Sequence, residues 1–179
     1  MVNNNIGKIK TKNKKVFICS DPHFGQESFY RYNPSYENIL RPQFPNAKAC
    51  DERIVHNHNS VVPTSNSVVY ILGDLAKSAA ALDKYLPQLN GETKILVGGN
   101  HDFKFPTFRL MQLFDKICGA CYLGGRKYLL THVPVHPNEL GGFINWHGHT
   151  HQHSIDDPRY HNFCYEVNNF FPTEVTHLL

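Results

Sequence analysis

The 179-residue chain contains no apolar stretch approaching the roughly 20 residues needed to cross a bilayer. Nor does an apolar h-region of the signal-peptide kind follow its first residues. The expectation is a soluble, cytoplasmic protein with no membrane partner. Cysteine is scarce and odd in number, at five. Cys19 and Cys164 sit inside apolar runs, where cysteine behaves as a small buried hydrophobe. Cys118 and Cys121 form one CxxC with no second pair, which disfavours a structural zinc. A strong charge of one sign is also missing, since the formal net charge is +3. Part of it lies in "GKIKTKNKK", with Lys8, Lys10, Lys12, Lys14 and Lys15. No aromatic residues interleave with these lysines, so residues 1–14 are expected to be a flexible, solvated basic arm rather than a nucleic-acid-binding tail. Internal repeats and low-complexity tracts are absent.

What is present is a 41% hydrophobic composition, enough for one domain over residues 15–179. Its apolar residues come in short runs, each ending in a small polar cluster. Val16 to Cys19 precede Ser20, Asp21 and His23, and Val68 to Leu72 precede Gly73 and Asp74. Ile95 to Val97 precede two glycines, then Asn100, His101 and Asp102. Tyr128 to Leu130 lead to Thr131 and His132, and "FINWHGHTH" repeats the form. Runs rich in Val, Ile, Leu and Tyr with such exits read as buried strands. Between the second and third, Leu75, Ala79, Leu82, Leu86 and Leu89 recur at helical spacing. Strand, helix and strand in about 30 residues make a βαβ crossover and an α/β fold.

Ligands of open α/β sheets bind beyond the carboxyl ends of the strands. A single Gly-Asp or His at such an exit is ordinary turn chemistry. The coincidence is more informative. Asp21, His23, Asp74, Asn100, His132, His149 and His151 together supply two carboxylates, one amide oxygen and four imidazoles. That set is too large for one four- to six-coordinate ion and suits two ions sharing a bridging carboxylate, with positions left for water and substrate.

The blocks "DPH" (Asp21 to His23), "GD" (Gly73, Asp74), "GNHD" (Gly99 to Asp102), "TH" (His132) and "GHTH" (Gly148 to His151) resemble the signature of the calcineurin-like metallophosphoesterases, in order and across almost the whole chain. The resemblance is closest to the small bacterial and phage branch, which places the protein in the cytoplasm of a bacterial or phage-infected cell. "RPQF" (Arg41 to Phe44) and "NHN" (Asn57 to Asn59) stand where that branch has R-P-F-like and N-W-N-like elements; Gln43 is inserted and His58 replaces tryptophan. The resemblance implies a four-layer αββα sandwich. It also implies a first metal on Asp21, His23, Asp74 and His151, and a second on Asp74, Asn100, His132 and His149, bridged by Asp74. The cofactors implied are two divalent ions, Mn²⁺ first, with Fe, Zn, Ni or Mg as alternatives.

The activity implied is hydrolysis of a phosphodiester or phosphomonoester, by in-line attack of a hydroxide formed between the ions. His101 adjoins a ligand without being one and is the expected proton donor to the leaving oxygen. Asp102 is its expected orienting partner. Arg41, able to match a phosphate in bidentate fashion, and Asn57 are the expected substrate-binding residues. Ile54, His58 and Val61 lie at helical spacing, and a helix beside the metals would bring Asn57 or His58 toward them. His147 is a candidate to support a ligand or the substrate phosphate. His56, His136, His153, His161 and His177 are expected at the surface or in packing roles. The chain's small size, with no long basic or aromatic groove, favours a nucleotide or cyclic nucleotide over long nucleic acid. The alternatives are a catalytically silent metal-binding regulator or scaffold, a phosphoprotein phosphatase and a structural zinc protein. Closed coordination in the last would conflict with the oxygen-rich ligand set. The apolar C-terminal "NNFFPTEVTHLL" is expected to cover a sheet edge or a partner.

Overall fold

Each apolar run becomes a strand, and the strands form two sheets. The computed structural model describes residues 13–32 and 39–179. The first sheet contains β1 (Lys15–Cys19), β2 (Ser67–Ile71), β3 (Thr93–Val97), β4 (Lys116–Cys118) and the short β9 (Thr173–Glu174), in the order β4-β3-β2-β1-β9. Strands β1 to β4 are mutually parallel, and β9 runs antiparallel along β1. The second sheet contains β5 (Ala120–Leu123), β6 (Tyr128–Thr131), β7 (Ile144–His147) and β8 (Tyr160–Asn162), in that order. β5 and β6 form an antiparallel hairpin, while β7 and β8 run parallel to β6.

The period-2 geometry of a strand sorts the side chains into two cores. Val16, Ile18, Val68, Tyr70, Ile95 and Val97 point toward the second sheet and pack with Tyr128, Leu130 and Trp146. Phe17, Cys19, Val69, Ile71 and Leu96 point the other way, into the helices. β2 is buried at every position, as expected of a central parallel strand.

Three helices cover that outer face. α1 (Ala47–Val61) starts at Asn46, whose side chain accepts from Ala49 N, and it buries Cys50 and Ile54. α2 (Ala79–Tyr85) is capped in the same way by Ser78. α3 is Thr107–Leu113. The crossover helix is shorter than its spacing implied. Leu75 and Ala76 stay extended against Phe24, and Pro87 falls in a 3₁₀ turn, Leu86–Gln88. The result is the expected α/β sandwich. On the outer face of the second sheet a loop stands in for a fourth layer: Asn145, fully buried on β7, accepts from Val135 N and donates to the Leu129 carbonyl and Thr131 Oγ1.

The expected approach of His58 to the strand exits is not found. Its Nε2 meets the Asn90 carbonyl at 2.9 Å, beside the entry to β3, at the opposite end of the sheet. The C-terminal segment covers a sheet edge as expected, with β9 on β1, Val175 N donating to Val16 O, and Val16 N donating to Thr176 Oγ1. Residues 1–12 of the basic arm lie outside the described residues; Lys14 pairs with Glu92. Among the described residues, no helix is long and apolar enough to cross a membrane.

Candidate metal centre

Because β1, β2 and β3 are parallel to one another, as are β6 and β7, their carboxyl ends deliver Asp21, Asp74, Asn100, His132, His149 and His151. The turns that do so are tight. Asp21, His23, Asp74, His149 and His151 all have positive φ, between 47° and 68°. That region costs a non-glycine residue energy and is retained where the surroundings over-determine it. Gly73, at φ +83°, lies so close to the next strand exit that a Cβ there would come within 2.5 Å of Gly99 N. A Cβ on Gly148 would run into Ser20 Oγ and Asp21.

The donors form two groups. Asp21, His23 and His151 have ligand atoms within 4.8 Å of one another, and so do Asp74, His132 and His149. Asp74 Oδ2 stands between the groups, 3.4 Å from His23 Nε2 and 3.4 Å from His132 Nε2. In the second group, His132 Nε2 is 2.9 Å from Asn100 Oδ1 and 3.2 Å from His149 Nδ1. Around an ion with bonds of about 2.0–2.2 Å, adjacent ligand atoms sit roughly 3 Å apart. The spacing therefore fits donors aimed at a common centre. Six of the seven residues named from the sequence stand in these two groups, and Asn100 meets the second through His132.

Atoms that do not face the centre are occupied. Asp21 Oδ2 accepts from His149 N at 2.8 Å and Cys164 Sγ at 3.2 Å, and lies 2.5 Å from the Ser20 hydroxyl. His132 Nδ1 meets the Leu72 carbonyl at 2.7 Å, leaving Nε2 as the lone-pair nitrogen. Asp74 Oδ1 accepts from His101 N at 2.9 Å. By contrast, Asp21 Oδ1 and His23 Nε2 face one another at 3.5 Å, and neither atom, though buried, has a hydrogen-bond partner. A buried, unsatisfied carboxylate oxygen and imidazole nitrogen side by side are costly unless something binds both. A divalent cation suits them, and the mixed N/O donor set is of the kind transition metals take.

Electrostatics agree. Burial works to raise the Asp21 and Asp74 carboxyls, but the neighbouring imidazoles outweigh it and hold both below the usual carboxylate range. Burial opposes protonation of His132, yet the Asp74 and Asp21 carboxylates push it up to about 9. His149 is held below its ordinary value by burial and by His132. The site is thus rich in negative charge that protons neutralise when no cation does.

Three expected roles are corrected by these contacts. Arg41 is fully buried, and it does not face a phosphate. Its Nε and Nη2 hold Glu166 Oε1 at 2.9 and 2.8 Å, Nη1 donates to Pro22 O at 2.9 Å, and Nη2 donates to Asp21 O at 2.7 Å. It therefore clamps the backbone of the Asp21-Pro22-His23 turn. Asn57 donates to the Phe170 carbonyl at 3.1 Å, so its amide nitrogen is engaged by the chain rather than by substrate. Asp102 does not orient His101. Its two oxygens accept from Asp74 N, Leu75 N and Gly99 N, tying the second and third strand exits together. His147 Nδ1 meets the Gly148 carbonyl at 2.9 Å, its ring stands edge-on to Tyr160, and its buried Nε2 has no hydrogen-bond partner. The His101 side chain is 56% exposed, and its Nε2 is 4.0 Å from Asp74 Oδ2, at the open rim. His56, His136, His153, His161 and His177 are exposed.

Sequence reasoning missed Glu166. It lies in the 3₁₀ turn Tyr165–Asn168, and its Oε1 is 3.1 Å from His151 Nδ1, completing a line from Arg41 through Glu166 to His151. A carboxylate behind a ligating histidine fixes ring orientation and raises its basicity. Only its position shortly after the last histidine motif could have pointed to it.

A two-sheet α/β sandwich with an Asp, Asn and His cluster at its strand exits defines the class of metal-dependent phosphoesterases. The chain belongs to the calcineurin-like phosphoesterase family, whose model matches residues 14–171. Among solved structures, it is similar to AQ665, a protein of unknown function from Aquifex aeolicus, at 23% identity and TM-score 0.66, covering 93% of this chain and 98% of that one. The Pseudomonas putida nuclease MPE is a more distant match, at 18% identity and TM-score 0.40, covering 76% of this chain and 60% of that one. No curated protein sequence is significantly similar to this chain.

Proposed function

We propose that the protein is a dimetal phosphoesterase that hydrolyses phosphodiester or phosphomonoester bonds of a small nucleotide-type substrate. The observation that carries this reading is the convergence of seven N and O donors in two groups around Asp74 Oδ2, with Asp21 Oδ1 and His23 Nε2 buried and unpartnered. Asp21, His23, Asp74 and His151 would hold one divalent ion, and Asp74, Asn100, His132 and His149 the other, with Mn²⁺ the first candidate. When bound, such a pair supplies a water of lowered pKa and positive charge against the phosphoryl oxygens.

The chain's own residues supply the rest. His101, exposed at the rim with its backbone N–H fixed on Asp74, gives a proton to the leaving oxygen. Phe29, buried against His23 and His151 with ring centroids at 4.9 and 5.3 Å, closes the floor of the first group against water. Phe103, 85% exposed and two residues from His101, offers a face on which a base can stack. Lys104 next to it is held below its ordinary value by burial and by the neighbouring Lys77, so two ammonium groups stand close together on that side and favour an anionic substrate.

Hydrolysis of bis-p-nitrophenyl phosphate and p-nitrophenyl phosphate with added Mn²⁺, suppressed by EDTA, is the expected result. Turnover of neither substrate by protein that retains its metal would favour a silent regulatory module. His101→Ala should lower turnover by about 10²–10⁴-fold with metal content unchanged. Loss of metal in that variant would remove His101 from the role of proton donor.

A further inference from the structure

Behind the first donor group lies a cavity of about 570 Å³ that none of the seven donor residues lines. Arg53 and Asn57 of α1 face it, as do Phe44 just ahead of that helix, Glu166, and Phe170 and Phe171 beyond the turn Tyr165–Asn168. Glu166 separates it from the candidate centre. The His151 ring turns Nε2 toward Asp21 Oδ1, at 3.9 Å, and Nδ1 toward Glu166 Oε1, at 3.1 Å, so the carboxylate stands on the far side of the ring from the donor atoms.

The cavity is built from groups with unspent valence. Glu166 Oε1 takes Arg41 and His151, whereas Oε2 is buried with no hydrogen-bond partner, in a side chain that is only 4% exposed. A carboxylate oxygen left so is costly, and a donor that reached it would recover the cost. Asn57 spends its amide nitrogen on the Phe170 carbonyl at 3.1 Å, which leaves its side-chain oxygen as a second acceptor. The wall opposite is held in unusual backbone. Asn169 and Phe170 are consecutive left-handed residues, at φ 52° and 62°, an outlier for a bulky aromatic. Asn57 fixes Phe170 there, together with its own N–H on the Tyr165 carbonyl at 2.9 Å and the Phe44 ring, edge-on at 4.8 Å.

These features select a ligand by its chemistry. Two acceptors call for adjacent N–H groups, and phenylalanine walls, with Phe171 38% exposed, suit a flat ring. The Glu166 charge is already matched by Arg41, so the exposed Arg53 leaves the cavity positive. A cationic amine is thereby disfavoured, and a neutral ring with an anionic tail is favoured. We propose that the cavity is a second binding site, for a guanine-type nucleotide. The ring N–H and the exocyclic amine donate to Glu166 Oε2 and Asn57 Oδ1, the ring lies against the phenylalanines, and the phosphate meets Arg53. One carboxylate then serves the candidate centre through Oε1 and the ligand through Oε2.

The test titrates guanosine, inosine and adenosine, which carry no phosphate for a metal to draw, into the full chain as purified, read by calorimetry. Guanosine should bind at least about tenfold more tightly than adenosine, which has a ring acceptor where guanine has a donor. Inosine, without the exocyclic amine, should fall between them. Glu166→Gln should erase the preference, and Asp74→Asn should leave it intact. In the Asp74→Asn background GMP should bind more tightly than guanosine, and adding Arg53→Ala, an exposed change, should remove that gain. Equal affinity for the three nucleosides, no saturable binding of guanosine, loss of binding in Asp74→Asn, or a phosphate gain that survives Arg53→Ala would each overturn the proposal. Nucleoside binding involves no turnover, so this inference and the phosphoesterase reading fail or succeed separately.

Discussion

The two ends of the five-stranded sheet are built to different rules. At the end where β2 and β3 begin, the left-handed backbone positions are Asn66 and Gly91, residues that take such a conformation at little cost. Most polar groups around them are paired: Asn66 N with Glu92, Ser67 Oγ with Pro63 O, Asn59 with Gln88 O and Asn90 N, and His58 Nε2 with Asn90 O, leaving His58 Nδ1 without a partner. At the other end the left-handed residues include, beside Gly73, the aspartates Asp21 and Asp74 and the histidines His23, His149 and His151, and buried donor atoms lack partners. Aspartate and histidine in left-handed backbone, and a carboxylate oxygen and an imidazole nitrogen buried face to face without partners, mark the end where the chemistry is proposed. The rest of the fold holds that end in place.

The largest expected effect comes from removing the atom that joins the two donor groups. Asp74→Asn should cut turnover by about a thousandfold or more and reduce bound metal at both sites, as read by elemental analysis of the purified protein. Two full equivalents of metal in that variant would dissolve the bridging role. Next is Arg41→Met, which leaves Glu166 buried beside the site without its cation. Denaturant unfolding should show a loss of about 3–5 kcal/mol. A loss within the range of ordinary surface changes would mean that the clamp on the Asp21-Pro22-His23 turn is dispensable.

At the quiet end, His58 is fully buried and held at about 4 by burial, against an ordinary value of 6.5. The unfolded chain therefore binds a proton there that the folded chain refuses. The stability this confers is complete above pH 6.5 and is lost as pH falls toward 4, amounting to about 3 kcal/mol. In His58→Gln that part of the pH dependence should vanish, while Asp51, whose burial raises it to about 6, contributes equally to both proteins. Parallel stability curves for the two proteins over pH 4–6.5 would count against this. The smallest effect expected is that of Glu166→Gln, which should weaken metal binding about 10–100-fold at the first group only, measured by metal titration. Equal weakening at both groups would show that the support is shared.

The sequence made the donor-bearing end legible because strands announce themselves by apolar runs and their exits by polar clusters. Asp21, His23, Asp74, Asn100, His132, His149 and His151 could be grouped on that basis, and the sheet order brings them together. Arg41, Asn57 and Asp102 were misread for one physical reason. A side chain's type says what it can bind, whereas its free valence depends on neighbours distant in sequence. Arg41's partners Glu166 and Asp21 stand 125 and 20 positions away. Glu166 itself sits in a short 3₁₀ turn, where no periodicity marks it. The helix between β2 and β3 was overextended because Leu75 keeps helical spacing while its backbone carbonyl is held by Phe24 N.

The grip on Asp21 has a consequence for ion selection. With Oδ2 engaged by Ser20, the His149 amide and Cys164, that carboxylate offers an incoming ion a single oxygen. Bidentate embrace, on which large hard cations such as Ca²⁺ rely to reach high coordination numbers, is closed to it. An ion held there would find one oxygen of Asp21 rather than two, a restriction set by three hydrogen bonds to Oδ2.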